Sequence, residues 1–226
     1  MLSGMEGSAL RMSLLVGTAA LLLVLVPGIA LGWLLARRRF RGKALVEALV
    51  FLPLVLPPVV TGYLLLVVFG QRGWIGGFLQ RFLGIHVVFT WLGMAVAGAV
   101  VGLPLLVRAV RLSVSAVDPG LESAARTLGL GPWPTFFRVT FPLARPGILA
   151  GALLAFARAL GEFGATVMVA PNTAGTRTLA LEIYRQASVP GGEAAVARLA
   201  LLSVALSVAA LLAVEFLARH GAGGEP

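Results

Sequence analysis

Cysteine is absent from the 226 residues, lysine occurs once, at Lys43, and only 12% of the side chains carry charge. The missing thiols exclude disulfides and thiolate metal sites, and they say nothing about compartment. Two histidines, His86 and His220, and no acidic cluster at ligand spacing leave no metal site to propose. The single lysine stands in no G-x-x-x-x-G-K-[ST] pattern, so the chain has no Walker A loop with which to bind ATP itself. The apolar runs hold neither a His/Glu zinc motif nor a Ser/Lys dyad, which leaves an intramembrane enzyme without catalytic candidates. The scarcity of charge matters most. With 59% hydrophobic residues and a mean hydropathy of +0.98, the chain cannot cover itself with polar surface, and it is an integral membrane protein. A net charge of +9 invites a nucleic-acid reading, but the basic residues lie between long apolar runs, where they act as topology signals.

Five stretches have the ~20 apolar residues that a bilayer core requires: 12–36, 44–70, 87–110, 147–170 and 198–217. They predict an all-α bundle, one membrane domain over 1–226, with a long loop at 111–146. The first stretch is too long for a signal-peptide core and has no basic leader, so it is expected to remain in the mature protein. Arg37, Arg38, Arg39, Arg41, Lys43, Arg108, Arg111, Arg126, Arg138, Arg145 and Arg219 fall on one side, against six basic residues on the other. The positive-inside rule then predicts an external N-terminus and a cytoplasmic C-terminus in a multi-pass cell-membrane protein.

The loop carries the most specific local chemistry. In Asp118-Pro-Gly-Leu-Glu-Ser-Ala-Ala-Arg-Thr-Leu-Gly129, Asp118 suits an N-cap, Pro119 the first helical position and Gly129 the stop. Leu121, Ala124, Ala125 and Leu128 recur at helical spacing and form one apolar stripe. So short a helix is marginal alone in water, so the stripe must rest in a groove of its own bundle or of a partner. A second short segment, 133–140, leads through Phe141-Pro142 back to the membrane.

Span two contains Pro53, Pro57 and Pro58, each without a backbone donor. Such a break is tolerated at membrane depth only under protein or beside a water-filled cavity. Residues 56–63 therefore read either as a broken helix at a translocation path, with Thr61, Gly62 and Tyr63 beside it, or as a kink that merely shapes the bundle. Span four contains Arg158 and Glu162, spaced to share a helix face near the midplane. Buried charge is costly there, so the two either pair structurally or line the path, where Arg158 is the midmembrane cation available to an anion. Gly98-x3-Gly102 and Gly147-x3-Gly151 suit close helix contact, inside one chain or across a dimer. The outer stretch Leu179–Gln186 is amphipathic and reads as a gate, a partner contact or a cap on the bundle.

The loop resembles the coupling motif of binding-protein-dependent ABC importer permeases, EAA-x3-G-x9-I-x-L-P. Aligned on Gly129, Ala124 and Ala125 take the alanines, and Val139, Phe141 and Pro142 the final Ile, Leu and Pro. Ser123 stands where the motif has Glu, with Glu122 one position earlier. The stretches Phe51–Tyr63, Leu121–Gly129, Phe156–Ala165 and Pro190–Glu193 are similar to molybdate transporter permeases. That resemblance implies a permease translocating molybdate or tungstate, with sulfate and thiosulfate permeases as near relatives. It also implies a second permease copy, a cytoplasmic ATPase dimer that holds ATP and magnesium, and an extracytoplasmic oxyanion-binding protein. Asp118, Leu121, Glu122, Ser123, Ala124, Ala125, Arg126, Leu128, Gly129, Val139 and Pro142 would then couple to the ATPase. Pro57, Pro58, Thr61, Gly62, Tyr63, Arg158 and Glu162 are the candidates for the path. A stand-alone secondary transporter is the competing class, and it would need coupling groups beyond Arg158 and Glu162.

Overall fold

The computed structural model describes residues 4–171, 173 and 175–222. The described residues form helices in the order α1 (Gly4–Arg37), α2 (Lys43–Val55), α3 (Pro58–Phe69), α4 (Trp74–Leu83), α5 (Trp91–Ala116), α6 (Pro119–Thr127) and α7 (Pro132–Thr135). A π-helical turn (Phe136–Thr140), α8 (Phe141–Leu160), α9 (Thr166–Val169), α10 (Leu179–Ala187) and α11 (Glu193–Ala222) follow. The side chains of Arg219 and His220 lie outside the described residues.

Small residues fix the centre of the bundle. Gly28 of α1 meets Leu106 of α5, and a Cβ on Gly32 would stand 2.6 Å from Val110 Cβ. Gly98 packs between Ala20 and Ala159, Gly102 against Ala155, Gly147 against Ser113 and Gly151 against Ala109. Both glycine pairs are therefore spent on packing α5, α1 and α8 within one chain, as expected where close backbone approach replaces hydrophobic drive.

These contacts also fix direction. Residues 20, 28 and 32 rise alongside 98, 106 and 110, so α1 and α5 are parallel. The chain between them must return from the Arg37 end to the Trp91 end. The helices α2 and α3, which meet at a bend of 117°, are thus the two halves of one broken crossing. Together with the apolar helices Gly4–Arg37, Trp91–Ala116, Pro132–Leu160 and Glu193–Ala213, they give five crossings.

Two boundaries differ from the sequence expectation. The helix that carries the fourth crossing begins at Pro132, ahead of the apolar stretch at 147: α7, the π turn and α8 run on as one element to Leu160. Pro142 and Pro146 lack the N–H groups for regular i→i−4 bonding, and the π turn just before them absorbs the irregularity. The same crossing is not helical to 170. It stops at Gly161, and residues 161–165 turn into the single turn of α9.

At the end opposite the coupling loop, α10 is pinned to the bundle. Ser13 Oγ accepts from the Leu179 N–H at 2.8 Å. Glu182, buried in α10, holds Arg185 at 2.7 Å and accepts from Gln186 Nε2 at 3.0 Å. Buried Glu6 of α1 reaches Arg198 of α11 at 2.6 Å. The buried side of α10 (Leu179, Leu181, Glu182, Gln186) makes it a cap on α1 and α11.

Candidate coupling surface and membrane path

The coupling segment folds as its local chemistry dictates. The Asp118 carboxylate accepts from the Gly120 N–H at 2.8 Å, and Pro119 opens α6. Gly129 closes it with φ +88°, and the Leu130 N–H returns to Ala125 O at 3.1 Å.

The inward face of α6 is made by Glu122 and Ala125, both buried. Glu122 is the anchor. One carboxylate oxygen accepts from Arg37 Nε at 3.1 Å and from Thr140 Oγ1 at 2.7 Å. Arg37 also donates to Val117 O at 2.8 Å, so one arginine ties the end of α1 to both the entry and the body of the loop helix. Ser123, by contrast, is exposed and returns its hydroxyl to Pro119 O at 3.0 Å. Of these two neighbours, Glu122 is thus the buried, paired side chain and Ser123 the exposed one.

The apolar stripe does not rest on its own bundle. Leu121 is 49% exposed, Leu128 84% exposed, and Ala124 is exposed between them; of the stripe only Ala125 turns inward. Beside it, Trp133 and Phe137 are exposed and stacked with centroids 6.4 Å apart. Arg126 is exposed; Val139 is half-buried and Pro142 exposed. A cavity of about 370 Å³ opens between α1, α6 and the π turn, with Arg38 and Arg126 at its wall beside the Arg37–Glu122 pair.

Replacing Gly129 with valine tests this segment. The site has open space around it, so the cost is conformational, about 1–2 kcal/mol for a β-carbon in the left-handed region. We expect binding-protein docking to survive while transport-linked ATP hydrolysis falls. Unchanged substrate stimulation of the ATPase by the variant would remove α6 from the coupling role.

The second group of residues lies toward the other end. The α2–α3 break falls at Leu56 and Pro57, both extended, with Pro58 opening α3. Pro53 sits inside α2 without breaking it. Thr61 and Gly62 are buried, whereas Tyr63 is 56% exposed. A Cβ on Gly62 would stand 2.7 Å from Ala165 O, and Gly164 faces Pro58, so α3 is seated on the 162–165 turn. The Thr61 hydroxyl is buried with no hydrogen-bond partner among the described residues.

Arg158 and Glu162 are brought together at 2.8 Å, but not on one helix: Glu162 follows the end of α8. The buried carboxylate also accepts from the Ala165 N–H at 2.8 Å, so it shapes the turn on which α3 rests. The Arg158 side chain keeps 35% exposure. Neighbouring Ala159 packs at the level of Gly98, seven residues or about 11 Å from the first residue of α5.

Arg37 and Thr140 were not among the expected site residues. Arg37 is one basic residue in a run of them, and Glu122 is 85 residues away in sequence, so no local pattern marks the pair.

The structure is a multi-pass helical membrane domain with a latched loop helix whose apolar stripe faces outward. The chain matches the family "Binding-protein-dependent transport system inner membrane component" over residues 28–220, and it belongs to that family. Within it, the chain is 51% identical to the "Molybdenum transport system permease protein ModB" of Escherichia coli (strain K12), over 95% of this chain and 94% of that protein. It is 48% identical to the protein of the same name from Haemophilus influenzae, over 96% and 95%. A "Sulfate transport system permease protein CysW" from Synechococcus elongatus is 38% identical over 79% of this chain and 63% of that one. The fold is similar to a chain of a bacterial ABC transporter for import of the acidic polysaccharide alginate. Its TM-score is 0.72 at 17% identity, covering 97% of this chain and 80% of that chain.

Proposed function

We propose that this permease carries molybdate, and tungstate as the same tetrahedral oxyanion, inward from an extracytoplasmic binding protein. A cytoplasmic ATPase dimer supplies the energy from ATP and magnesium, and two copies of the permease form the path. The observation that carries the coupling part is the exposed Leu121, Ala124 and Leu128 face, held out on a helix whose back is tied by Glu122. The identity of the anion rests on the near-full-length likeness to molybdenum permeases. The requirement for a second copy rests on the chain's five crossings and single coupling helix, since alternating access runs between two halves. The basic residues at the Arg37 and coupling-loop end support a cytoplasmic C-terminus and an external N-terminus. Sulfate or thiosulfate is the second reading, favoured by the more distant sulfate permease relative.

The complex reconstituted with its binding protein should hydrolyse ATP faster with molybdate or tungstate than with sulfate. Stimulation by sulfate alone would transfer the assignment to the second reading.

On this reading Arg158 and Glu162 serve the path as well as the turn. Arg158→Ala leaves Glu162 unpaired, so the carboxylate must take up a proton or the turn must shift. Arg158→Ala combined with Glu162→Ala removes both charges and should largely restore assembly. We expect oxyanion uptake to stay slow in that double variant. Uptake at the wild-type rate with normal assembly would reduce the pair to a structural role.

A further inference from the structure

The helix α4 stands apart from the bundle. Its contacts are chiefly with α3, where Gly76 is pressed against the carbonyls of Phe69 and Gly70. Five of its ten residues are large exposed apolar side chains: Trp74 (95%), Ile75, Phe78, Phe82 and Leu83. Trp74, Phe78 and Phe82 recur every four residues, and the last two rings lie 4.7 Å apart, so they form one aromatic face. Such a face is too apolar to be left in water. It lies at the end of the broken crossing remote from the coupling helix, the level at which aromatic side chains gather in membrane proteins.

Behind α4, between the end of α3 and residues 85–89, is a cavity of about 610 Å³. Arg72, Gln71, Gln80 and His86 supply its polar wall, and Phe69 and Val88 its apolar one. Residues 70–90 contain Arg72 and Arg81 and no carboxylate. A second copy of the chain is a poor cover for this face. In a two-fold seam the same patch meets itself, which would set these arginines against each other without a counter-charge. A phosphate diester joined to acyl chains satisfies both walls at once.

We propose that α4 is an interfacial foot, lying in the leaflet opposite the coupling helix, and that a phospholipid sits behind it. Arg72, with its planar fork of donors, takes the lipid phosphate. The acyl chains run along Phe69 and the aromatic face, as for an amphipathic helix seated at the acyl boundary. The foot thereby anchors the outer end of the α3 half of the broken crossing.

Because the chain has no cysteine, single-cysteine variants report depth directly. The full permease, in nanodiscs of phosphatidylethanolamine and phosphatidylglycerol, would carry a spin label at Phe78→Cys, Phe82→Cys or Ser188→Cys. Labels at 78 and 82 should collide with oxygen in preference to a water-soluble nickel chelate, and the label at 188, in the exposed turn after α10, should show the reverse. In native mass spectrometry, Arg72→Ala should weaken retention of phosphatidylglycerol about tenfold, and Arg81→Ala less than threefold. The proposal is overturned if the label at 78 is as water-accessible as that at 188. It is equally overturned if Phe78→Cys crosslinks efficiently to a second copy, or if Arg72→Ala holds the lipid as the wild type does. None of these readouts depends on which anion is carried.

Discussion

Replacing Leu128 with aspartate should release the ATPase from the permease and leave the permease itself folded. Leu128 is 84% exposed at the end of α6, so the permease loses almost no packing, and its own stability should move by less than about 0.5 kcal/mol. On the proposed coupling role, the same side chain is buried in a groove of the ATPase in the assembled transporter. Losing it there removes about 1.5–3 kcal/mol of apolar burial, and the new carboxylate adds a desolvation cost. Together these predict at least a hundredfold weaker ATPase binding, read by titrating the ATPase onto permease in nanodiscs. ATPase affinity unchanged by Leu128→Asp would mean that the exposed stripe is not the docking face.

Removing Glu122 should have the opposite signature. Glu122→Ala leaves the stripe untouched and cuts the latch behind it, so the ATPase should still bind. The Glu122 and Arg37 side chains are only 10% and 15% exposed, and the loss strands a buried guanidinium and the Thr140 hydroxyl together. Breaking such a pair costs about 3–5 kcal/mol, with the lower end fitting the residual exposure. We expect a clear fall in the thermal midpoint of the permease and an at least tenfold fall in uptake per ATP hydrolysed. Changing Arg37 and Glu122 together to methionine should regain most of the stability, because neither charge is then left alone. It should not regain coupling, since α6 would no longer be hydrogen-bonded to the end of α1 and the start of the fourth crossing. Full uptake by Glu122→Ala would show that the latch has no part in transmission.

The two variants separate what the sequence made legible from what it did not. The existence and limits of α6 follow from Asp118, Pro119 and Gly129, whose effects are local, and the structure has each in its expected place. The adjacent prolines 57 and 58 likewise forced a break that no packing could repair. The role of Glu122 depends on partners 85 and 18 residues away, and no spacing rule reaches that far. The helix of the fourth crossing has other ends than its apolar stretch, because apolar content is blind to helix continuity. The helix extends back through Pro142 by way of a π turn, and it stops at Gly161 although apolar residues continue beyond. The helix α4 has a signal in the i, i+4, i+8 recurrence of Trp74, Phe78 and Phe82, but it lies in a connection too short to stand out beside the crossings. The paired glycines of α5 and α8 were ambiguous between seam and core, and the neighbours Ala20, Ala155 and Ala109 decide for the core.

Vesicles holding the whole complex, with ATP enclosed on the ATPase side and the binding protein on the other, test the central claim most directly. Labelled molybdate should accumulate only when both ATP and binding protein are present, and a non-hydrolysable ATP analogue should abolish it. Tungstate should compete in proportion to its concentration, and sulfate only in large excess. Accumulation that persists without ATP and follows an imposed ion gradient would contradict the account, because the chain would then be a transporter in its own right.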